Sequence, residues 1–241
     1  QKAIDDLYNY FVKHTGNPLV VIPTGGGKSL IMAEWFQKVF AIDPQARILC
    51  ITHVGELVQQ NYEELKGIWP DAPAGIYSAG LKRKQISARI LFGTIQSLHK
   101  KAYKIQQCDM ILIDECHLIP RKSNTMYRRF LDELLTINPH LKIIGFTATP
   151  YRVDSGELTH GDDSLFTDIA HETPVKELID AGYLSRPISP KSASDGFQID
   201  TTGIKTAMGD FMAGQLEVPA MEPEAIRAVV EKVIESGANR Q

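Results

Sequence analysis

Cysteine is scarce in this chain of 241 residues, and no two cysteines have the spacing of a metal or redox motif. The three cysteines are Cys50, Cys108 and Cys116, and none of them belongs to a C-x-x-C pair. Cys116 stands next to His117, but no second Cys or His follows at ligand spacing. The pattern argues against a metal or thiol site, and three unpaired thiols are typical of a reducing compartment.

Long hydrophobic runs are also absent from the sequence. No run approaches the roughly 18 residues that are needed to cross a bilayer, and no charged segment followed by an apolar one forms a leader. We therefore expect a cytoplasmic protein with no membrane partner. The chain does not begin with Met, and we expect it to be a piece of a longer protein.

Acidic residues are missing between Asp71 and Asp109. The net charge of −3 by itself gives no reason to expect a nucleic-acid partner. That stretch nevertheless carries seven bases, and a basic face on an acidic protein is the electrostatic footprint of a nucleic-acid site. A solvated surface with chance clustering is the alternative. The bases are Lys82, Arg83, Lys84, Arg89, Lys100, Lys101 and Lys104.

A Gly-rich segment, 23–29, lies between the apolar run 19–22 and a predicted helix. Consecutive glycines let backbone N–H groups turn inward around phosphate oxygens, Lys28 brings a charge to the β and γ phosphates, and the Ser29 hydroxyl can ligate Mg²⁺. The helix adds its positive end to the same oxygens. Ile22 stands where the common motif has its first Gly, and a Gly-rich turn without a ligand is the alternative. The segment predicts a nucleoside triphosphate site and consists of Pro23, Thr24, Gly25, Gly26, Gly27, Lys28 and Ser29.

Two adjacent carboxylates end the apolar run 110–113. Asp114 can hold Mg²⁺ through water, and Glu115 can orient and deprotonate a water that attacks the γ-phosphorus. Taken singly, such a pair is more often a helix cap or a solvated turn. Because a phosphate loop precedes it in a pattern of alternating strands and helices, we predict a catalytic metal site.

Strand-like runs alternate with helical patterns along most of the chain. This alternation predicts the α/β class, with a mostly parallel sheet and helices on both faces. Ligands bind at the carboxyl ends of such strands, where the Gly-rich segment and both carboxylates fall. The predicted strands are 19–22, 47–52, 74–77, 89–93, 109–114 and 141–147, and the predicted helices are 2–14, 28–41, 55–67, 95–103, 123–136 and 173–181.

Five segments, taken in the order in which they occur along the chain, resemble the motifs of the first RecA-like domain of a superfamily 2 helicase of the DEAD/DEAH type. The resemblance covers nearly the whole chain and implies a RecA-like P-loop NTPase fold. Motif II reads Asp-Glu-Cys-His, a DECH box. The motifs are 23–29 (I), 52–57 (Ia), 92–97 (a further nucleic-acid motif), 114–117 (II) and 147–150 (III). More narrowly, 79–84, 138–141 and 182–184 are similar to bacterial RadD-like DNA repair helicases, which are relatives of restriction-enzyme motor subunits.

The resemblance implies three groups of site residues. Segment 23–29 and Asp114 would bind ATP and Mg²⁺, with Ser29 and Asp114 as metal ligands and with Lys28, Asp114 and Glu115 as the catalytic group. Elements that reorganise when the γ-phosphate leaves would be His117, Thr147, Ala148 and Thr149. Contacts to a nucleic-acid backbone, made without reading bases, would come from Thr52, His53, Lys82, Arg83, Gly93, Thr94, Gln96 and Ser97. Singly, His53 also fits a satisfied loop histidine, and Thr94 and Ser97 also fit a helix cap.

The resemblance also implies a domain organisation. Residues 1–184 would form the RecA-like ATP-binding domain, 185–221 a connector, and 222–241 the start of a second RecA-like domain, with a capped amphipathic helix at 222–236. The family's adenine-reading Gln would fall just upstream of Gln1. The second domain would supply arginines worth on the order of 10³ to 10⁵ in rate. We therefore expect this chain alone to bind nucleotide weakly and to hydrolyse it slowly or not at all.

Three classes of function fit these motifs. The first is a nucleic-acid-stimulated ATPase that moves on or remodels DNA, either single-stranded or branched, with RNA as a possible substrate. The DECH spelling differs from the Asp-Glu-Ala-Asp of RNA-remodelling relatives and favours DNA. The second is the ATPase motor of a restriction or defence complex. The third is a non-enzymatic nucleotide switch, which is disfavoured because Lys28, Asp114 and Glu115 are all present.

Overall fold

A computed structural model of the chain describes residues 1–120, 125–152, 156–161 and 163–186, and further along 206–207, 210–211, 226–227, 230–231 and 234. The chain divides into two compact units, Gln1–Leu184 and Ser185–Gln241. The first unit holds every predicted motif. In the second, β11 (Thr206–Ala207) pairs antiparallel with β12 (Asp210–Phe211).

Eight strands of the first unit form one sheet. The strands of this unit are β1 (Pro18–Val21), β2 (Ile48–Thr52), β3 (Ala74–Ser78), β4 (Arg83–Lys84), β5 (Ile90–Thr94), β6 (Met110–Ile113), β7 (Lys142–Thr147), β8 (Tyr151–Arg152), β9 (Gly156–Glu157) and β10 (Asp168–Glu172). The sheet order is β10-β1-β7-β6-β2-β5-β3-β4, and β8 and β9 form a separate antiparallel ribbon. Only β4 runs antiparallel within the sheet, against β3. The predicted α/β class with a mostly parallel sheet is confirmed.

Helices cover both faces of this sheet, because successive strand residues point to opposite sides. Met110 and Leu112 of β6 belong to one buried cluster, and Ile111 and Ile113 belong to the other. The first three helices pack in the cluster of Met110, and the next three pack in the cluster of Ile111. The helices are α1 (Lys2–Lys13), α2 (Lys28–Ile42), α3 (Gly55–Ile68), α4 (Ile95–Leu98), α5 (Ala102–Ile105), α6 (Met126–Ile137) and α7 (Val175–Asp180).

The predicted helix 95–103 is wrong as a single element. The chain leaves helical geometry at Lys101, whose φ is −121°, and its N–H donates to the Leu98 carbonyl at 2.8 Å. Two short helices, α4 and α5, result. Ile95, Leu98, Ala102 and Ile105 all stay buried on one face, so the apolar pattern is the same as that of an unbroken helix.

Strand β10 was not predicted. Its sequence, Asp-Ile-Ala-His-Glu, carries three polar residues, and it pairs only with β1 at one edge of the sheet. His171 fixes it to α1, because Nδ1 lies 2.7 Å from Asp6 Oδ2. Its Nε2 lies 2.8 Å from Oγ1 of Thr173, just after the strand. Tertiary contacts therefore determine this strand, while apolar content does not.

The predicted connector and the predicted start of a second domain lie largely outside the described residues. Residues 226–227, 230–231 and 234, within the predicted helix 222–236, are helical. The division into 1–184, 185–221 and 222–241, with its functional assignment, stays a prediction. Within the described ranges, none of the helices has the length and hydropathy of a membrane-spanning segment.

All three cysteines are buried and free. Burial raises the pKa of Cys108 to about 12 and raises the pKa of Cys116 well above its ordinary value. A thiol that stays protonated is a poor nucleophile and a poor metal ligand. These cysteines therefore act as small core residues.

Candidate functional site: a phosphate loop and a carboxylate pair

The Gly-rich segment 23–27 turns sharply between β1 and α2. Gly25 has φ +76° and Gly27 has φ +86°, a left-handed geometry that glycine adopts without strain. At Gly26 the constraint is space, because an added Cβ would lie 2.8 Å from Ile22 Cγ2 and 2.9 Å from the Pro23 carbonyl oxygen. Each glycine thus lets the backbone form a tight loop at the N-terminus of a 15-residue helix, the kind of place where proteins bind phosphate.

Lys28, the first residue of α2, faces the two acids that follow β6. Its ammonium donates to Glu115 Oε1 and lies 3.9 Å from Asp114 Oδ1. Glu115 itself adopts φ +49° and ψ +48°, a left-handed conformation that costs a non-glycine residue on the order of 1–3 kcal/mol. That strained turn directs the Glu115 carboxylate toward Lys28.

Asp114 is held by two donors. Asn61 Nδ2 donates to Oδ2 at 2.9 Å, and the Glu115 backbone N–H donates to Oδ1 at 3.0 Å. Burial raises the pKa of Asp114, while the Asn61 hydrogen bond and the charge of Lys28 oppose that rise. The carboxylate is therefore fixed in orientation at the mouth of the cleft.

These residues line one open cavity of roughly 630 Å³, a size typical of small-molecule sites. Thr24, Gly25, Gly27, Lys28, Ser29 and Leu30 form one side. Helix α3 forms another side with Leu57, Gln60, Asn61, Glu64, Gly67 and Ile68, and Asp114 and Glu115 complete the lining. The sequence-predicted nucleotide residues are thus brought together, except that Pro23 and Gly26 support the loop from outside the lining.

The donor set suits Mg²⁺. A hydroxyl (Ser29) and a carboxylate (Asp114) line the same cavity, and Mg²⁺ is usually held by one or two carboxylates, water and substrate phosphates. No group of three or more His, Cys, Asp or Glu side chains with metal-site geometry occurs in the described part of the chain. The Ser29 hydroxyl and the Asp114 carboxylate fit a Mg²⁺ ion whose other ligands are water and substrate phosphates.

His117 links the carboxylate pair to the end of β7. Its Nδ1 lies 2.9 Å from Thr147 Oγ1 and 3.4 Å from Glu115 Oε2. The Thr147 hydroxyl donates to the Thr149 carbonyl and accepts from the Thr149 N–H, each at 3.0 Å. A hydroxyl has one proton to donate, so all partners are satisfied when His117 carries its proton on Nδ1. Partial burial lowers the pKa of His117, which favours this neutral form.

Four of the predicted nucleic-acid residues are buried or, in the case of His53, partly buried. Thr52 donates to the Val54 carbonyl at 3.0 Å, and Thr94 donates to Ser97 Oγ at 3.0 Å. The His53 ring packs on Tyr127 with centroids 5.0 Å apart, and its buried Nε2 has no partner within the described residues. A Cβ on Gly93 would meet Leu98 and the Tyr77 carbonyl. These residues shape the strand ends and present little surface.

Three of the predicted nucleic-acid residues are exposed at the β3–β5 end of the sheet. Lys82 and Arg83 lie at the turn into β4, and Gln96 lies on α4. The Arg83 guanidinium lies 5.7 Å from the Tyr62 ring centroid, within cation–π distance. Ser97 is half-buried and accepts the Ala79 N–H at 3.1 Å. We define Lys82, Arg83 and Gln96 as the exposed polar rim.

The expected basic face is not one surface, and for Arg89 the expectation is wrong. Arg89 precedes β5, and its guanidinium donates to the Gln45 carbonyl and side chain in the loop before β2. It therefore lies at the amino ends of the parallel strands, opposite the phosphate loop. The stretch without acids crosses from one end of the sheet to the other, which a linear charge count does not reveal.

Two site residues were not predicted from the sequence. Asn61 was missed because no motif includes it, although it occupies a buried position between Val58 and Leu65 of α3. Arg152 was also missed, and its guanidinium donates to the carbonyls of His117 and Ile119. It thereby ties the chain after β7 to the turn that follows the carboxylate pair.

The parallel sheet, the loop at the end of β1 and the carboxylates at the end of β6 define a RecA-like P-loop nucleotide-binding domain. The family model described as "Type III restriction enzyme, res subunit" matches residues 1–152, and the chain belongs to this family. The resemblance to the RecA-like domain of a superfamily 2 helicase is thereby confirmed. The narrower similarity to RadD-like helicases stays a prediction.

Curated relatives are larger helicases. The chain is 26% identical over 151 residues to the DEAD-box ATP-dependent DNA helicase Fancm of Drosophila melanogaster, covering 56% of this chain and 10% of that protein. It is 26% identical over 145 residues to the putative ATP-dependent DNA helicase fml2 of Schizosaccharomyces pombe, covering 56% of this chain and 18% of that protein. The chain therefore spans less than a fifth of either relative.

Two solved structures share the fold. The UvsW helicase from bacteriophage T4 has a TM-score of 0.54 at 20% identity, over 70% of this chain and 58% of that one. A nuclease-deletion mutant of the Type ISP restriction-modification enzyme LlaGI, in complex with a DNA substrate mimic, has a TM-score of 0.54 at 12% identity, over 76% of this chain and 20% of that one. At these identities the likeness concerns the fold alone.

Proposed function

We propose that the chain binds Mg²⁺ and ATP and hydrolyses ATP to drive movement on, or remodelling of, DNA. The observation that carries the proposal is the convergence of Lys28, Asp114 and Glu115 on one cavity at the carboxyl edge of the sheet. A non-enzymatic nucleotide switch would need no carboxylate beside Lys28. The presence of Glu115 there favours hydrolysis.

The proposed division of labour follows from the positions of the groups. The loop 23–27 and the N-terminus of α2 receive the phosphates, Lys28 neutralises the β and γ oxygens, and Ser29 and Asp114 hold the metal, which supplies charge neutralisation when bound. Glu115 orients and deprotonates the attacking water. Lys28 must then exchange its Glu115 partner for phosphate, which frees the carboxylate for that role.

We further propose that His117, Thr147, Ala148 and Thr149 couple nucleotide state to nucleic acid. The His117–Thr147 hydrogen bond joins the turn that bears Glu115 to the end of β7. A change at the γ-phosphate that moves Glu115 is transmitted through that bond. On the nucleic-acid side, the exposed polar rim supplies direct backbone contacts, while Thr52, His53, Gly93, Thr94 and Ser97 support them from beneath.

DNA is the proposed substrate because the curated relatives are named as DNA helicases. Single-stranded or branched DNA fits contacts that touch backbone without reading bases. The match to a restriction-enzyme subunit family favours a second candidate, the motor of a restriction complex, which also acts on DNA. RNA is a third candidate substrate, which a comparison of ATP hydrolysis with DNA and with RNA distinguishes.

A second RecA-like domain is the proposed partner of this one. Among the described residues that line the cavity, Lys28 is the only base. Phosphoryl transfer in related sites gains on the order of 10³ to 10⁵ in rate from an arginine that reaches across a cleft. We therefore propose that arginines from a second domain complete the site, and that this chain alone turns over slowly.

The test is steady-state ATP hydrolysis by a protein that joins this chain to the proposed second domain, with no nucleic acid, single-stranded DNA, duplex DNA, forked DNA or RNA. Lys28→Ala is the blank that reveals contaminating activity. Stimulation by DNA that the variant lacks supports the proposal and ranks the substrates. Stimulation by RNA alone would replace DNA as the substrate, and no stimulation by any nucleic acid would contradict the coupling.

A further inference from the structure

Helix α3 carries a polar residue in the middle of its buried stripe. Its buried residues are Val58, Asn61 and Leu65, with spacings of three and four that place them on one face. Val58 and Leu65 pack into the core cluster under the sheet. Asn61 lies at the same depth, with 6% of its surface exposed, where an apolar side chain would complete the stripe. Such a local conflict is expected at a functional position.

The Asn61 amide has a single defined partner among the described residues, the Asp114 carboxylate. Nδ2 lies 2.9 Å from Oδ2, and the direction of the bond is fixed because an ionised carboxylate only accepts. Both residues line the same cavity as Lys28 and Ser29. The side chain of Asn61 in α3 is therefore committed to the Asp114 carboxylate, which follows β6.

The hydrogen bond from Asn61 leaves acceptor sites on the Asp114 carboxylate free. A carboxylate offers about four acceptor sites. Within the part of the chain that the structure describes, Asp114 accepts one hydrogen bond at each oxygen, from Asn61 at Oδ2 and from the Glu115 N–H at Oδ1. Both donors are neutral and come from the protein interior. They stop rotation of the carboxylate while leaving one lone pair on each oxygen for a hydrated cation.

We propose that Asn61 is a positioning residue that fixes the Asp114 carboxylate for Mg²⁺ held between protein and nucleotide, an inference that rests on the proposed function. Mg²⁺ demands near-ideal octahedral geometry, so a carboxylate held in one orientation binds it better than one that rotates. Removing such an outer partner typically costs about 10- to 100-fold in metal affinity. Because α3 follows directly after Thr52 and His53, the same bond connects the predicted nucleic-acid edge to the metal ligand.

The experiment measures Mg²⁺ affinity separately from folding. The dissociation constant of ATP is measured for the purified chain in EDTA and across a Mg²⁺ titration, for the wild type and for Asn61→Leu, which has the same number of side-chain heavy atoms and no donor. We expect unchanged ATP affinity in EDTA and a rise of roughly 10- to 100-fold in the Mg²⁺ concentration at half-saturation. Asn61→Ala, which leaves room for a water donor, should fall between the two.

Gln59→Ala on the same helix is the matched control, since Gln59 bonds only Glu63 among the described residues and lies outside the nucleotide cavity. It should titrate like the wild type. If Asn61→Leu and Asn61→Ala both titrate with Mg²⁺ like the wild type, the positioning role is wrong while nucleotide binding stands. If the wild type binds no ATP with or without Mg²⁺, the proposed function fails, and this inference fails with it. Loss of ATP binding in EDTA by both variants would instead show that Asn61 serves the fold.

Discussion

Lys28 and Glu115 form an ion pair across the mouth of the phosphate loop, with the ammonium of one donating to the carboxylate of the other. Both side chains are mostly shielded from water, with 13% and 25% of their surfaces exposed, so the pair is screened less than a surface ion pair. The group that would bind phosphate and the group that would activate water thus hold each other. A nucleotide that attracts Lys28 also releases Glu115.

Glu115→Gln should separate binding from hydrolysis. The amide keeps the size of the side chain and removes both the ion pair and the general base. We expect the ATP affinity of this chain to stay the same or to tighten, because Lys28 no longer exchanges partners. Hydrolysis, measured in a protein that also contains the proposed second domain, should fall on the order of 10² to 10⁴-fold. Calorimetric titration and a phosphate-release assay measure the two effects. Glu172→Gln, at an exposed position at the end of β10, is the control. If Glu115→Gln binds ATP more weakly and Glu172→Gln does not, the proposed exchange of Lys28 from Glu115 to phosphate is contradicted.

Gly26→Ala should distort the phosphate loop, because there is no room for the added Cβ. A Cβ there would meet Ile22 and the Pro23 carbonyl below 3.0 Å, which forces the backbone to shift. We expect a lower melting temperature, by an amount typical of about 1–3 kcal/mol of overpacking, together with weaker ATP binding. Gly55→Ala, where an added Cβ meets nothing within 4 Å, should leave both unchanged. Equal behaviour of the two variants would show that the loop tolerates the shift.

Thr147→Val should uncouple ATP hydrolysis from DNA while changing the shape of the side chain little. The change removes the hydroxyl that bonds His117 and Thr149 while keeping a branched side chain of the same size. We expect nucleotide binding to persist. Stimulation of hydrolysis by DNA, measured in a protein that also contains the proposed second domain, should be largely lost. Thr136→Val, an exposed helix position whose hydroxyl bonds only its own helix, is the control. Retained stimulation in Thr147→Val would argue that this hydrogen bond is structural.

The sequence predicted the elements that apolar runs and motif spacing encode, and missed those that tertiary contacts decide. Strands β1, β2, β3, β5, β6 and β7 were all predicted to within one or two residues. Strand β10 was missed because His171 and its Asp6 partner are 165 residues apart in sequence. Asn61 was missed because only its hydrogen bond to Asp114 distinguishes it, and Asp114 lies 53 residues further along the chain.

His53 should make stability depend on pH. Partial burial lowers its pKa, so the unfolded chain takes up a proton at a higher pH than the folded chain does. The stability that comes from keeping this imidazole neutral is present above about pH 6.5 and is lost as pH falls below it. His53→Asn should therefore flatten the decline of the melting temperature between about pH 6.5 and 5. His140→Asn, at an exposed turn, is the control, and identical slopes for His53→Asn and wild type would exclude this contribution.

Lys82 and Arg83 should contribute to DNA affinity through phosphates. Both are exposed at the turn into β4, beside Gln96 of the exposed polar rim. Changing both to Ala should weaken single-stranded DNA binding equally for all sequences and should reduce the salt slope by roughly one for each phosphate that is no longer neutralised. Arg89→Ala removes a base at the opposite end of the sheet and should leave the slope unchanged. A larger effect of Arg89→Ala would relocate the nucleic-acid surface.

The most direct measurement is equilibrium binding of ATP with Mg²⁺ to this chain, for the wild type and for Lys28→Ala, with inorganic tripolyphosphate as competitor. If the loop and the carboxylate pair form a triphosphate site, the wild type binds, tripolyphosphate displaces the nucleotide, and Lys28→Ala loses most of the affinity while melting at a similar temperature. Equal affinity of the two proteins, or no displacement by tripolyphosphate, would contradict the assignment of this cavity.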